Sequence, residues 1–140
     1  MAIINSVMEV MNGYGVGPGP GSTSASGYAT AAAVSLSGAS VTTTVTLGTQ
    51  GYTNGKIRVK VYNGGGSTTA AAVVVTVTDG TNTYQVGSIG VYTIANGANS
   101  GADRTFDVLV DIAITQVIFT TALTVGTTTA LLDYEICLNP

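Results

Sequence analysis

Chemistry in a protein usually depends on ionisable side chains, and this chain has few of them. Lysine, arginine, aspartate and glutamate together make up 8% of its 140 residues, and there is no histidine. The chain therefore lacks the usual general base near neutral pH and the commonest metal ligand. A Ser-His-Asp or Cys-His catalytic arrangement is excluded for the same reason.

Paired carboxylates are the remaining option for acid–base catalysis. Asp103, Asp107 and Asp111 recur every fourth residue, so on a strand they point to one side in steps of about 13 Å. The two carboxylates of a glycosidase stand roughly 5–9.5 Å apart, and only a residue from another strand, such as Asp133 or Glu135, could close that gap. We therefore expect no enzymatic activity and no cofactor.

The same acids could serve as Ca²⁺ ligands, which are carboxylate and carbonyl oxygens. No run of the sequence resembles the D-x-D-x-D-G calcium loop. A solvated strand face explains these acids at least as well, so the sequence predicts no metal site.

Charges of opposite sign are segregated along the chain. Lys56, Arg58 and Lys60 alternate on one face of a predicted strand, whereas five of the seven acids follow later, at Asp103, Asp107, Asp111, Asp133 and Glu135. Opposite charges on neighbouring strands contribute about 0.2–1 kcal/mol per pair. Pairing within one subunit is slightly favoured. The alternative is a head-to-tail subunit contact, with candidate residues Lys56, Arg58, Lys60, Asp107 and Asp111.

Composition also narrows the classes of partner. The net charge is -3 and no basic stripe exists to neutralise phosphates, so nucleic-acid binding is not expected. No run approaches the ~18 apolar residues of a membrane span.

The start, MAIINSVMEVMNG, lacks the positive flank and continuous apolar core of a signal peptide, which predicts cytosolic synthesis. The single Cys137 permits no intrachain disulfide and is expected to be a small buried residue.

The first 26 residues differ in pattern from the rest. Apolar residues at helical spacing come first, and a short helix, an edge strand or a frayed terminus would each fit them. The following GVGPGPG, residues 15–21, cannot be helix or central strand, and Pro20 occupies the sixth position that a dinucleotide fingerprint reserves for glycine. Residues 1–26 are therefore predicted to be a flexible N-terminal arm. Its candidate partner-binding residues are Ile3, Ile4, Val7, Met8, Met11 and Tyr14.

From residue 27 onward apolar and polar residues alternate with period two. About eight such segments, separated by turn signals and without any helical pattern, predict an all-β domain over residues 27–140. The predicted architecture is an antiparallel β-sandwich, for which a jelly roll is one arrangement. A surface of Thr, Ser, Gly, Asn and Ala has little charge repulsion to oppose association with other protein.

The arm MAIINSVMEVMNGYGVGPGPG and the Thr/Val/Gly-rich strands after it resemble small β-rich virion proteins of tailed bacteriophages, in particular capsid decoration or cement proteins. The similarity is one of kind, without a specific motif. It implies a non-catalytic protein on the outer capsid surface, made in the host cytoplasm and often trimeric. Such a protein binds the major capsid protein or another virion protein and stabilises the shell by bridging capsomers.

Two alternatives use the same low-charge, β-rich surface. A tail or head-fibre component would bind another virion protein or a host glycan through loops at residues 63–67 or 96–103. A secreted β domain, such as an adhesin or surface-layer domain, is disfavoured by the missing signal peptide.

Overall fold

The alternating segments form eight β-strands. The computed structural model describes residues 27–36, 39–63, 69–94, 97–123 and 130–140. The strands are β1 (Tyr28–Leu36), β2 (Ser40–Thr46), β3 (Tyr52–Asn63), β4 (Thr69–Thr78), β5 (Thr83–Ile94), β6 (Gly97–Ile114), β7 (Gln116–Leu123) and β8 (Ala130–Asn139). Within these ranges there is no helix, and hence none that could cross a membrane.

The strands pair as one long antiparallel ribbon that is folded on itself. β1 pairs with β8, β2 with β7, β3 with β6 and β4 with β5. Two further pairings, β3 with β8 and β4 with β7, join this ribbon into two sheets. Sheet A has the order β1-β8-β3-β6, and sheet B has the order β2-β7-β4-β5. This nested order of eight antiparallel strands in two sheets is a jelly roll.

The core lies between the two sheets, where every second side chain of a strand points inward. Phe119 of sheet B is fully buried and stacks on Tyr134 of sheet A, with ring centroids 5.1 Å apart. The largest fully buried side chains come from both sheets: Tyr52, Phe119, Leu36, Ile57, Ile114, Leu132, Ile136, Val59, Val61, Val73 and Val75. Burial of this shared set holds the sheets face to face.

The predicted all-β antiparallel sandwich is confirmed, and its strand order is that of a jelly roll. One prediction was wrong: Cys137 is exposed rather than buried, because it has the same parity on β8 as Asp133 and Glu135 and so lies on the outer face. The predicted loop at residues 96–103 is also wrong in part, since β6 already begins at Gly97. The predicted arm, residues 1–26, lies outside the described residues.

Candidate protein-binding face

The predicted charge stripes meet within one chain, on the outer face of sheet A. Lys56 lies opposite Asp107 across the β3–β6 pair, and the two side chains form an exposed ion pair. On its other side β3 faces β8, where Arg58 lies opposite Glu135 and Lys60 opposite Asp133. The basic strand is thus flanked by acidic residues of both neighbours.

Arg58 makes the best-defined of these contacts. Its Nε and Nη2 donate to the two carboxylate oxygens of Asp103 at 3.0 and 2.6 Å. This two-point contact matches the planar guanidinium to the planar carboxylate. The hydrogen bonds from Arg58 are the main reason that the pKa of Asp103 lies below its ordinary value. The guanidinium is half-exposed, so the pair contributes modestly to stability.

Asp133 completes the polar network at the other end of this face. Its Oδ1 accepts hydrogen bonds from the Tyr62 hydroxyl at 3.1 Å and from the Ala33 amide at 2.8 Å. Ala33 lies at a bulge of β1 with φ of 57°, a left-handed conformation that non-glycine residues rarely adopt. The ammonium of Lys60 lies 4.9 Å from the centroid of the Tyr62 ring. Asp133 therefore ties the irregular edge strand to the centre of sheet A.

Reversing the charge of Arg58 tests whether this face also joins subunits. Because the partner of Arg58 is Asp103 of the same chain, we expect Arg58→Glu to leave the assembly state unchanged and to lower stability only modestly. Light scattering after size exclusion measures the assembly state. A lower oligomer mass for Arg58→Glu than for the unaltered chain would instead support the subunit contact.

Acidic pH should weaken the fold through two aspartates. Hydrogen bonds lower the pKa of Asp103, chiefly from Arg58, and of Asp79, chiefly from the Asn82 and Thr81 amides. Each carboxylate then stabilises the folded state above its unfolded pKa of about 4, and that contribution is lost as pH falls through the lowered folded value. We expect the thermal midpoint to fall between about pH 5 and pH 2, and to fall less in Asp103→Asn. Equal acid sensitivity of the two proteins would contradict this assignment.

The outer face of sheet B carries no charged side chain within the described strands. All nine charged residues within the described strands belong to β3, β6 and β8 of sheet A. We define the uncharged face by the side chains that alternate with the buried positions of sheet B: Ser40, Thr42, Thr44, Thr46, Ala72, Val74, Thr76, Gln85, Ser88, Gln116, Ile118, Thr120 and Ala122. Cross-strand neighbours on it include Thr42 with Thr120 and Thr44 with Ile118.

This face can be covered by another protein at low electrostatic cost. Burying an unpaired ion costs several kcal/mol, whereas a threonine hydroxyl can keep or exchange a hydrogen bond and its methyl group packs as an apolar surface. β-branched side chains are also stiff, so Thr42, Thr44 and Val74 lose little rotamer freedom on contact. Of the two outer faces, the uncharged face is therefore the better suited to broad contact with protein.

Sheet A instead offers a polar recess of about 230 Å³ beside the β1 bulge. Its lining includes Thr30, Arg58, Lys60, Asp133 and Glu135. Hydrogen-bond donors and acceptors alternate there, as a hydroxyl-rich ligand would require. Among the described residues no group of three or more His, Cys, Asp or Glu side chains could hold a metal ion.

The structure places the sequence-predicted site residues unevenly. Lys56, Arg58, Lys60 and Asp107 come together on sheet A, whereas Asp111 is exposed on β6 and makes no ion pair within the part of the chain described. The six arm residues from Ile3 to Tyr14 lie outside the described residues. Sequence reasoning missed the uncharged face. Its signal was the absence of charge from five strands, β1, β2, β4, β5 and β7, but only the strand order shows that all of these except β1 share one sheet.

Comparison with known proteins gives no family. No family model matches the chain, and no curated protein matches it. A solved structure of a mutant family 29 carbohydrate-binding module is similar, with a TM-score of 0.43 and 12% identity over 80% of this chain and 79% of that one. A TM-score of this size carries no argument about function.

Proposed function

We propose that the chain is a non-catalytic virion structural protein that decorates a phage capsid and stabilises it by binding across capsomers. The observation that carries the proposal is the uneven charge of the sandwich, with every strand charge of the described residues on sheet A and none on sheet B. In this account the uncharged face lies on the capsid, and sheet A faces solvent. The charged outer sheet keeps the decorated particle soluble.

The size of the uncharged face indicates that it does not act alone. The four strands of sheet B hold 7, 8, 10 and 12 residues, and at about 4.8 Å between strands and about 3.3 Å per residue they cover roughly 590 Å² of flat area. A standard protein interface takes about 800 Å² from each partner. The difference leaves a role in attachment for the arm, with the apolar residues Ile3, Ile4, Val7, Met8 and Met11 and the aromatic Tyr14 as the contacting side chains.

Deleting residues 1–21 should separate attachment from folding. Because the sandwich core is built from β1–β8, we expect the truncated chain to keep its β-sheet circular dichroism and its oligomer mass, a trimer by the resemblance to decoration proteins. Attachment to capsids assembled without the protein should be lost, as measured by co-sedimentation. Unfolding of the truncated chain would show that the arm belongs to the core. Normal attachment of the truncated chain would show that the arm is not needed for attachment.

A second candidate function, binding of a host glycan by a tail or head-fibre component, is favoured by the polar recess on sheet A. Tyr28, half-exposed on neighbouring β1, supplies an aromatic surface of the kind on which sugar rings pack. Binding of soluble glycans that is lost in Glu135→Ala but retained in variants of the uncharged face would favour this candidate over the capsid.

A further inference from the structure

We propose that in the free protein the apolar arm residues dock on an apolar patch around Leu109 of the same chain. The patch consists of Leu109 and Val110 of β6 and Tyr84 of β5. The inference does not rest on capsid decoration, because it concerns where the arm lies before any partner is bound.

The patch brings apolar side chains together on the edge strands of the sandwich. Leu109 is 86% exposed and Tyr84 44% exposed, on the outermost strands of sheets A and B. One shallow hollow of about 500 Å³ is lined by Tyr84, Leu109 and Val110 and is bordered by Asp111. A second hollow of about 490 Å³ is lined by Leu109, Val108 and Cys137 and is bordered by the charged Lys56 and Asp107. A lone exposed leucine needs no explanation, but contiguous apolar side chains around hollows mark a contact surface.

The arm supplies side chains of matching chemistry. Its apolar positions are Ile3, Ile4, Val7, Met8 and Met11, and the flexible thioethers of the two methionines suit irregular hollows. Burying these side chains against Leu109 and Tyr84 removes apolar surface of both segments from water, which favours the contact.

The register of the strand pairs places Gly27, the first described residue of the sandwich, at the same end of the sandwich as the patch. The Leu138 amide donates to the carbonyl of Gly27, where the described chain begins. Leu138 in turn lies opposite Gly55, and Gly55 lies opposite Val108, next to Leu109. Gly27 and Leu109 are thus separated by three strand spacings, about 14 Å.

The length of the tether favours the arm of the same chain over that of a second copy. Residues 13–26 are 14 residues rich in Gly, Pro and Ser, and the r.m.s. span expected for a linker of that length and composition is about 20 Å. A tether that matches its span gives an effective concentration on the order of millimolar. At micromolar protein concentration the arm of a separate molecule cannot compete with it, and within an oligomer the mixing experiment below distinguishes the chain's own arm from that of a neighbouring subunit.

The sequence makes the test unusually selective, because all three methionines, Met1, Met8 and Met11, lie in the arm and Cys137 is the single cysteine. The full-length chain is labelled with ¹³C on the methionine methyl groups and with a nitroxide on Cys137, which lines the same hollow as Leu109. We expect the nitroxide to broaden the Met8 and Met11 methyl signals, and reduction with ascorbate to restore them. Isotope-labelled chain without nitroxide and nitroxide-labelled chain without isotope, unfolded and refolded together so that any oligomer contains both, should show no broadening.

Leu109→Glu should abolish the broadening, while Val91→Glu should retain it. Val91 is the matched control because it is also apolar and 69% exposed, but lies about 23 Å from Tyr84 along β5. Without any nitroxide, the methionine methyl shifts of Leu109→Glu alone should move to those of free methionine. No broadening in the unaltered chain, or equal loss in both variants, would overturn the proposal. Broadening in the mixture would assign the patch to the arm of a second copy and overturn the docking within one chain.

Discussion

Replacing Phe119 by alanine is expected to lower the free energy of unfolding by about 3–5 kcal/mol. Phe119 is fully buried on central strand β7 and stacks on Tyr134 across the interior, with the ring planes at 22°. Removing the ring leaves a cavity between the sheets and ends the aromatic contact that joins them. Urea unfolding followed by circular dichroism measures the change.

Phe106→Ala is the matched control for this substitution. Phe106 is the other phenylalanine of the chain, and it lies half-buried on edge strand β6 against Gly87. We expect a smaller loss of stability there, because the edge can close over the lost volume. A loss at Phe119 below about 1 kcal/mol, far under the usual cost of a buried phenylalanine, would mean that the two sheets do not pack through this residue.

Introducing lysine at Thr42 and Thr44 should weaken attachment to capsids by at least about 30-fold, because an unpaired charge buried in an interface costs 2 kcal/mol or more. Both threonines are exposed on β2, in the uncharged face. The body should fold normally, since neither side chain contributes to the core. Titration of capsids with the fluorescently labelled protein measures the affinity.

Thr105→Lys provides the control on the opposite sheet. Thr105 is exposed on β6 between Asp103 and Asp107 and lies opposite Arg58 of β3. An added lysine there meets two acids and one cation and faces solvent in the proposed orientation. We expect attachment within about twofold of the unaltered chain, since exposed surface substitutions change little. Equal loss in Thr105→Lys, or full attachment of the Thr42→Lys, Thr44→Lys double variant, would place the contact elsewhere.

The fold class could be predicted because alternation is a local property of the sequence. Val73, Val75 and Val77 point inward whichever strand lies beside them. Strand order could not be predicted, because alternation does not identify the partner of a strand. β1 pairs with β8 about 100 residues later, and no local signal at Tyr28 or Cys137 specifies that pairing.

The candidate site was predictable only in its parts. Cys137 was predicted to be buried because cysteine usually is. It occupies the same alternate positions of β8 as Asp133 and Glu135, however, and this already indicated that it lies on the outer face. By the same alternation on β6, Leu109 was predicted to point outward together with Asp107 and Asp111. Its closeness to Tyr84 depends on β5 and β6 lying at the same side of the two sheets, which only the fold determines.

The most direct test of the central claim is a cryo-electron microscopy reconstruction of capsids to which the purified chain has been added. We expect density for the sandwich on the outer shell at the junctions between capsomers, with Thr42, Thr44 and Thr120 of the uncharged face toward the capsid and Arg58 of sheet A toward solvent. Bare capsids, or a sandwich seated on the shell through sheet A, would contradict the account.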